Sequence, residues 1–574
     1  GGFIIILEEN MLYDKSKSEK PDKKLFENPG KEFRGAPFWA WNAKLDKKEL
    51  LWQIDRLKDM GFGGFFMHTR CGMATEYLGR EYMEMVKACD EHAKKEDMLA
   101  YLYDEDRWAS GAAGGYVTEN KKYRNKYLLI TQETPEAVYK RGKEEDTDPV
   151  FVAAFDVVID KSNLMTDYSR IGEYDSAVKG VKWLAYRVLE KPSGWFNGYT
   201  YIDAMCGEAV DKFIDVTYEA YKREVGGDFG KSVPAIFTDE PNYGHCGYAA
   251  FAHGTQPVLI TWTDDFSDTF KAARGYNIVD RLPEVVWELS DGPNTARYHF
   301  YDHACQRFAD GFCRRIGRWC DENGIAFTGH VLNEETLDSQ TRTVGEAMRH
   351  YGGFGLPGID MLCNKVELST AKQCQSAVHQ YGREGMLSEL YGVTGWDFDF
   401  KGHKFQGDWQ AALGVTLRVP HLSWVSMKGS AKRDYPASIG YQSAWYKEYS
   451  LVEDHFARLN TALTRGVPSV NVGVIHPIES FWLGAGPIDV TSADRARMET
   501  QFDNVINWLL RGNIDFDFIA ESTVPELYSP SEKGFQMGKM NYSVILVPPV
   551  RTLRSTTVGA LTEFRARGGR VLLS

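Results

Sequence analysis

The sequence lacks long apolar runs and any regular cysteine pattern. No stretch approaches the ~20 apolar residues that a membrane-spanning helix needs, and we predict no such segment. The nine cysteines include no C-x-x-C pair, which argues against a disulfide framework and a structural zinc site. The short apolar run over residues 3–7 is followed by acids and is unlike a secretory signal. We therefore expect a cytoplasmic protein.

Positive charge is also scarce, and several well-known motifs are missing. The net charge is −13 and the pI about 5.6, which disfavours nucleic acid or an anionic membrane as a partner. A Walker A sequence, G-x-S-x-G and H-E-x-x-H are absent, which argues against nucleotide hydrolysis, a serine-elbow hydrolase and a zinc protease. Aromatic residues, in contrast, are plentiful, with 15 Trp, 30 Tyr and 31 Phe. Aromatic faces can stack on sugars, although most of them fill cores.

A repeated alternation of apolar strands and amphipathic helices fills most of the chain. Eight strands alternating with helices predict a (β/α)₈ TIM barrel, an α/β fold, over residues 33–468. A β-rich insertion is predicted at about 123–192, and residues 1–32 are predicted to form a solvated tail, with Met11 as a candidate start. The predicted barrel strands are 36–42, 63–70, 98–103, 235–240, 325–331, 358–362, 386–391 and 422–426.

A second unit is predicted over residues 469–574. Strands at 470–476, 514–519, 542–547 and 570–573 surround a helix at 498–510, a pattern typical of a doubly wound, flavodoxin-like α/β domain. No G-x-G-x-x-G follows its first strand, so dinucleotide binding is not expected. The sequence stops within a strand, and we interpret this unit as truncated.

The fourth and seventh barrel strands end in acids. Glu240, next to Asp239, precedes Pro241, and Glu389 ends the strand at 386–391. Active sites of such barrels lie at the carboxyl ends of the strands. Cleavage of a glycosidic bond needs one carboxyl group as acid and another as base or nucleophile. We therefore predict that Glu240 and Glu389 face each other across one pocket.

Other residue types that bind sugars or metals follow the predicted strands. Histidines that end strands can bind hydroxyl groups, and several hard oxygen ligands at one mouth could hold Ca²⁺ or bind sugar hydroxyls. The predicted acids at the rim are Asp104, Glu105, Asp106, Asp239, Glu334 and Asp360. The predicted histidines and sugar-stacking tryptophans are His68, His330, Trp39, Trp41, Trp108 and Trp396.

Three segments together resemble glycoside hydrolase family 106, which contains α-L-rhamnosidases. They are P-F-W-A-W-N at 37–42, G-F-G-G-F-F-M-H at 61–68 and Y-D-E-D-R-W-A-S-G at 103–111 followed by A-G-G at 113–115. The resemblance covers residues 35–470 and implies a barrel, an inverting mechanism and a Ca²⁺ near the sugar. It implies Glu240 as the general acid and Glu389 as the base, with Glu334 as a rival base or a metal ligand. The C-terminal unit resembles the glutamine-amidotransferase-like domain of several glycosidases.

The leading hypothesis is a glycoside hydrolase that removes a terminal sugar, with α-L-rhamnose as the candidate. Two alternatives stay open at this point. A metal-dependent lyase or isomerase would use the acids to hold Mg²⁺ or Mn²⁺. A non-catalytic carbohydrate-binding protein would hold the two glutamates apart or in salt bridges.

Overall fold

The computed structural model describes residues 12, 20, 22–139, 147–429, 435, 437–532 and 534–574. Most of the predicted N-terminal tail, including Met11, lies outside these residues. The described part of that tail contains a short helix, Lys23–Glu27. Among the described residues, none of the helices combines the length and the apolar character needed to cross a membrane.

Nine parallel strands form a nearly closed barrel. Their order in the sheet follows the chain around the barrel, and β1 pairs with both β2 and β9. The TIM-barrel prediction is therefore confirmed. The strands are β1 Phe38–Trp41, β2 Gly64–Thr69, β3 Leu99–Tyr103, β4 Ala235–Asp239, β5 Ala326–His330, β6 Leu356–Met361, β7 Met386–Leu390, β8 Val415–Pro420 and β9 Ser423–Trp424.

The closing strand differs from the prediction. The sequence predicted one strand at 422–426, whereas β8 pairs with β7 and the two-residue β9 pairs with β1. The prediction missed β8 because Arg418 interrupts its apolar pattern. Arg418 is buried, and its Nη2 lies 2.7 Å from Oε1 of Glu453 on the following helix. A search for apolar runs counts an arginine as exposed, whereas this arginine is buried because its charge is paired.

Alternation along β1 separates the inside of the barrel from the layer beneath the helices. Phe38 and Ala40 belong to the interior cluster with Phe66 and Phe237. Trp39 and Trp41 belong to the cluster that packs against the surrounding helices. Successive side chains on a strand point to opposite faces, so only half of each strand can reach the barrel axis.

Helices cover the outside of the barrel. Asp46 caps the first of them, because its Oδ1 accepts from the Glu49 backbone N–H at 3.0 Å. The helices after the barrel strands are Lys47–Asp59, Arg80–Lys95, Gly207–Phe213, Glu219–Val225, Thr295–Phe308, Arg314–Asn323, Leu337–Thr343, Ala347–Tyr351, Leu368–Tyr381, Phe400–Ala412 and Ser450–Leu463. Further short helices are Pro135–Tyr139, Phe266–Arg274 and Leu282–Val286.

A five-stranded antiparallel sheet extends from the loops after β3 and β4. Four of its strands lie within the predicted β-rich stretch at about 123–192, including Met165–Ile171, and the fifth, Val258–Trp262, comes after β4. Val258–Trp262 pairs with Lys126–Thr131. The sheet therefore joins the loops that follow β3 and β4. The predicted bounds of the β-rich insertion, about 123–192, stay a prediction. Its remaining strands are Val150–Ile159 and Val181–Leu189.

The C-terminal region contains a four-stranded parallel sheet. In sheet order its strands are Phe516–Ile519, Val472–Ile475, Val544–Val547 and Arg570–Leu573, close to the predicted positions. The helices Ile478–Leu483, Ile488–Arg511, Val524–Leu527 and Ser555–Ala566 accompany it. A small antiparallel sheet of Tyr528–Ser531, Gly534–Met537 and Met540–Tyr542 is added to it. The flavodoxin-like classification stays a prediction.

Candidate active site

The carboxyl ends of β4 to β7 bring polar side chains to one level of the barrel. His330 is the register partner of Asp239, and Asp360 is the register partner of Glu389. Glu240 follows Asp239 directly. Neighbouring parallel strands that end at the same level place these groups at one opening of the barrel. We call this opening, with Asp239, Glu240, His330, Asp360 and Glu389, the mouth. Barrel enzymes keep their catalytic residues at this end of the strands.

Asp239, His330 and Glu389 form the most compact part of this mouth. His330 Nε2 lies 2.8 Å from Glu389 Oε2 and 3.7 Å from Asp239 Oδ1. The Tyr103 hydroxyl donates to Asp239 Oδ2 at 2.6 Å. All three side chains are buried. Two carboxylates are thus held around one imidazole, and a tyrosine from β3 fixes the orientation of one of them.

Glu240 has an unusual backbone conformation. Its φ is +50°, a left-handed value that is uncommon outside glycine and is concentrated at functional sites. Among the described residues its carboxylate forms no ion pair. Burial raises the pKa of Glu240 well above its usual value, and the nearby carboxylates of Asp239, Asp360 and Glu389 raise it further, while His330 opposes them. Glu240 is therefore a carboxyl group that keeps its proton to higher pH than an ordinary glutamate.

Two further carboxyl groups at the mouth are shifted in the same direction. Burial raises the pKa of Glu389 well above its usual value, Asp239 adds to the effect, and Arg70 opposes it. Burial likewise raises the pKa of Asp360, with Glu389 as the strongest charge acting on it. Several interacting acids titrate as a group, since each charge disfavours the next. The carboxyl groups of the mouth therefore ionise one after another as pH rises, above the usual range for such groups.

The floor of the mouth carries imidazole and indole nitrogens without partners. Both nitrogens of His68, Nδ1 of His421 and Nε1 of Trp424 are buried and have no hydrogen-bond partner among the described residues. His68 stacks on Phe38 with 4.5 Å between ring centroids. Burial, followed by the Arg70 charge, lowers the pKa of both His68 and His421 well below the usual value. Buried polar atoms are nearly always satisfied, so these groups are available to bind water or a polar ligand.

Other predicted acids hold the loop after β3 together. Asp104 is fully buried and accepts from the Ser110 and Tyr218 hydroxyls, each at 2.6 Å. Ser110 Oγ in turn accepts from the Asp239 backbone N–H at 2.8 Å. Asp106 accepts from Arg107 Nε and from Asn197 Nδ2, both at 3.1 Å. Both carboxylates therefore have protein partners that shape the loop, and the role of Asp104 and Asp106 in substrate binding stays a prediction.

Glu105 belongs to the same loop. Its carboxylate accepts from the backbone N–H groups of Asp106, Gly111, Ala113 and Gly114 at 2.6–2.9 Å. Burial raises its pKa to about 8 while these donors oppose the shift. The glycine-rich segment after β3, which the sequence singled out, therefore folds around one buried carboxyl group.

The four predicted tryptophans divide into two pairs. Trp39 and Trp41 are fully buried and face the helices, and Trp39 Nε1 donates to Gln53 Oε1 at 2.8 Å. Their predicted role in sugar stacking is corrected, because strand alternation turns them away from the barrel axis. Trp108 lies at the rim with the Arg70 guanidinium 4.3 Å above its ring. Trp396 is 49% exposed and packs against Trp424, with ring centroids 5.9 Å apart.

A cation could be held by one group of side chains at the mouth. Ligand atoms of Asp239, His330 and Glu389 all lie within 4.8 Å of one another. Two carboxylates suit Ca²⁺, whereas an imidazole is more typical of Zn²⁺ and related metals, so the donor set fits a divalent cation without selecting one. Glu334, the predicted metal ligand, is not in this group. It is buried beside Asp360 with Oε1 lacking a partner among the described residues, and burial raises its pKa.

Tyr103, His421 and Trp424 also line the mouth, although the sequence did not single them out as site residues. Tyr103 is the last residue of β3, and its strand-end position could have identified it. His421 lies between β8 and β9, and it was missed because β8 was missed. Asp360 was predicted only as one of many acids, and the register with Glu389 distinguishes it.

Comparison with known proteins supports the fold. No protein-family model and no curated protein matches this chain. Among solved structures, a rhamnosidase from Novosphingobium sp. PP1Y is similar with a TM-score of 0.66 and 12% identity, covering 96% of this chain and 70% of that one. A β-galactosidase from Rahnella sp. R3 has a TM-score of 0.51 and 11% identity, with coverages of 97% and 71%. The GH42 β-galactosidase Gan42B from G. stearothermophilus has a TM-score of 0.53 and 10% identity, with coverages of 93% and 71%.

Proposed function

We propose that this protein is a glycoside hydrolase that removes a terminal sugar by carboxylate acid/base catalysis. One observation carries the proposal: Glu240, Asp360 and Glu389, all with raised pKa values, meet above buried ring nitrogens that lack protein partners. Acids with shifted pKa values suit proton transfer near neutral pH. The unpartnered nitrogens suit a ligand with several hydroxyl groups. Similarity in fold to solved glycosidases is consistent with this activity.

Glu240 is the proposed general acid. Its raised pKa keeps a proton available for the glycosidic oxygen, so that the C–O bond breaks as the leaving sugar becomes an alcohol. Its carboxyl group has no ion-pair partner in the described chain and can therefore turn toward a substrate. Glu240 directly follows β4 and has a left-handed backbone conformation.

Glu389 is the proposed base. The Arg70 charge favours its ionised form, and His330 Nε2 lies 2.8 Å from its Oε2. In an inverting reaction Glu389 would take a proton from water while the water oxygen attacks the anomeric carbon. Glu334 is the rival for this role. Glu334→Gln and Glu389→Gln are compared at saturating Ca²⁺: loss of kcat in Glu389→Gln alone supports Glu389 as the base, and loss in Glu334→Gln alone supports Glu334.

A divalent cation, proposed to be Ca²⁺, would be held by Asp239, His330 and Glu389. When bound it would neutralise part of the carboxylate charge and bind sugar hydroxyls. Glu389 cannot easily be both a ligand and the base, and calorimetric titration of Ca²⁺ into Glu389→Gln distinguishes the roles. Unchanged affinity supports the base, and lost affinity identifies a ligand.

The proposed sugar is α-L-rhamnose. The resemblance of the segments around β1, β2 and β3 to glycoside hydrolase family 106 supports this choice. The similarity to a solved rhamnosidase extends over 96% of the chain. The proposed cytoplasmic location rests on nine free cysteines. The parallel sheet near the C-terminus supports the proposed flavodoxin-like or glutamine-amidotransferase-like domain.

A panel of aryl glycosides, including the α-L-rhamnoside, tests the function. We expect release from the rhamnoside, loss of activity in chelator, and recovery with added Ca²⁺, with Mn²⁺ and Zn²⁺ as comparisons. Release from another glycoside would overturn rhamnose but retain glycosidase activity. No release from any glycoside in the presence of each cation would contradict the proposed function.

A further inference from the structure

Two tryptophans meet at the rim of the barrel, one on the loop after β3 and one on the segment after the strand Val181–Leu189. Trp108 and Trp195 have ring centroids 4.6 Å apart and an angle of 74° between their rings. The Trp195 Nε1–H donates to the Trp108 carbonyl oxygen. Both side chains are half-buried, so each keeps part of its ring open to solvent. We call these two rings the Trp108–Trp195 pair.

The Trp108–Trp195 pair lies on the Glu240 side of the mouth. Ser110, two residues after Trp108, is bonded twice to Asp239. The Ser110 N–H donates to the Asp239 carbonyl, and Ser110 Oγ accepts from the Asp239 N–H, each at 2.8 Å. The strand before this loop, β3, also pairs with β4, which leads into Glu240, whereas Glu389 lies on β7 between β6 and β8. The pair is therefore joined to the strand of the proposed acid.

A second connection to Glu240 runs through the segment that carries Trp195. Tyr201 lies six residues after Trp195. Its hydroxyl donates to the Ser110 carbonyl at 2.9 Å and accepts from the Asn242 N–H at 3.2 Å. Asn242 Nδ2 in turn donates to the Glu240 carbonyl at 3.0 Å. The segment that holds Trp195 is thus fastened to the loop after β3 and to the backbone of Glu240.

Two arginines hold the Trp108–Trp195 pair in place. The Arg70 guanidinium carbon lies 4.3 Å from the Trp108 ring centroid, and that of Arg107 lies 5.5 Å from the Trp195 ring centroid. Such contacts between a cation and a ring are attractive. Arg107 also pairs with Asp106, with Nη2 and Oδ2 3.1 Å apart. Half-exposed indole rings beside a guanidinium and a carboxylate suit a sugar, because its C–H groups pack on aromatic surface and its hydroxyl groups bind donors and acceptors.

We propose that Trp195, together with Trp108, binds the sugar that leaves when the glycosidic bond is cleaved. The inference rests on the proposed function and gives a role to the segment after the strand Val181–Leu189. A general acid protonates the oxygen of the leaving sugar, so this sugar must lie next to Glu240, on the side of the mouth where the Trp108–Trp195 pair stands. The Trp195 ring would contact the C–H groups of the sugar, and the Arg107 guanidinium would donate to its hydroxyl groups.

A kinetic comparison of two substrates with the same terminal sugar tests this assignment. Trp195→Ala should lower kcat/KM at least ~10-fold for a disaccharide, because it removes an aromatic contact with the leaving sugar. The same variant should change kcat/KM for the glycosyl fluoride less than ~2-fold, since a fluoride leaving group has no ring to contact. Trp508→Ala, at a tryptophan that is 69% exposed on the helix Ile488–Arg511, is the matched control and should affect neither substrate. Equal losses on both substrates, or none on the disaccharide, would overturn the proposal.

A binding experiment separates failure of this assignment from failure of the proposed function. Saturation-transfer NMR is recorded with lactose, maltose and a rhamnosyl-glucose disaccharide on Glu240→Gln, alone and combined with Trp195→Ala or with Trp508→Ala. We expect at least one disaccharide to bind, and the signal of its glucose ring to fall relative to the other ring only when Trp195 is replaced. An unchanged glucose signal, or no binding of any disaccharide, would overturn the assignment. The expected spectra without hydrolysis of any glycoside by the unmodified protein would support the binding site and contradict the proposed function.

Discussion

Two clusters of buried charge differ in how their charges are compensated. One lies between the barrel and the C-terminal region, where Arg349 and Arg554 meet Asp302, Glu346 and Glu479. Arg349 Nη2 lies 2.9 Å from both Asp302 Oδ1 and Glu346 Oε2, and Arg554 Nε lies 2.7 Å from Glu479 Oε1. The other is the mouth, where among the described residues Glu240 and Asp360 have no cation paired with them.

The pKa of Asp302 follows this difference, whereas burial raises the pKa of Glu479, in the same cluster, to about 8 against the opposing Arg554 charge. Burial raises the pKa of Asp302, but the charges of Arg349, Arg554 and Arg274 outweigh burial and hold it well below its usual value. At the mouth, the neighbours of Glu240 are mainly other acids, which add to the effect of burial. Buried charges that are fully paired fasten elements together. Buried acids that are left uncompensated are typical of sites that transfer protons.

The largest expected effect is the loss of catalysis at the mouth. Glu389→Gln should lower kcat by about 10²–10⁴-fold, the usual contribution of acid/base catalysis, while the thermal midpoint is retained. The control is Glu479→Gln, which alters a glutamate of similar burial in the paired cluster. It should keep kcat at temperatures where the variant is folded. Near-normal turnover in Glu389→Gln would remove Glu389 from the mechanism.

The second effect is on stability and belongs to the paired cluster. Arg349→Ala should lower the free energy of unfolding by about 3–5 kcal/mol, because it leaves buried carboxylates uncompensated. Urea unfolding measures the change. Arg567→Ala, which breaks a surface pair with Glu563, should leave the free energy of unfolding nearly unchanged, because water screens exposed ion pairs. Similar costs for the two variants would contradict the contrast between the clusters.

The third effect concerns the support of Asp239. Tyr103→Phe removes the 2.6 Å hydrogen bond, and a hydrogen bond to a charged group contributes about 1.5–3 kcal/mol. We expect kcat/KM to fall about tenfold or more and the pH profile to shift, because the released Asp239 carboxylate can move relative to Glu240 and Glu389, whose pKa values its charge raises. Tyr381→Phe is the control, since the Tyr381 hydroxyl has no partner among the described residues. A pH profile that does not move in Tyr103→Phe would indicate a purely structural role.

The smallest effect is a gain of stability. The pKa of Asp360 is higher in the folded protein than in the unfolded chain, so its ionisation disfavours folding above its unfolded pKa, and stability falls as pH rises toward the folded value. Asp360→Asn should therefore unfold at a higher urea concentration than the unmodified protein at pH 8, by about 0.5–2 kcal/mol. The difference should shrink below about pH 4, where the aspartate is protonated in both states. A gain that is the same at both pH values would contradict the electrostatic cause.

The sequence predicted the barrel and the acids of β4 and β7 because both depend on local patterns. Apolar runs ending in acids are visible without knowledge of neighbours. The roles of Trp39 and Asp104 could not be predicted in this way. Strand alternation decides which way Trp39 points, and the hydroxyls that occupy Asp104 come from residues 6 and 114 positions away in the chain.

The arrangement of residues at the mouth also depends on how neighbouring strands are aligned with each other, and local sequence patterns do not give this alignment. Asp360 and Glu389 are neighbours because β6 and β7 pair in one particular register. His421 was missed because the buried Arg418–Glu453 pair concealed β8. Contacts between residues far apart in the sequence therefore decide which acids are held in loop hydrogen bonds and which are free to react.

The role of Glu240 as proton donor is tested most directly by varying the leaving group. Glu240→Gln is compared with the unmodified protein on a rhamnosyl disaccharide, whose leaving oxygen needs a proton, and on dinitrophenyl α-L-rhamnoside, whose leaving group does not. We expect kcat to fall at least about 10²-fold on the disaccharide and much less on the dinitrophenyl glycoside. The alkaline decline of activity on the disaccharide, which in the unmodified protein reports deprotonation of Glu240, should be absent from the residual activity. Equal losses of kcat on the two substrates would contradict the assignment of Glu240 as the acid.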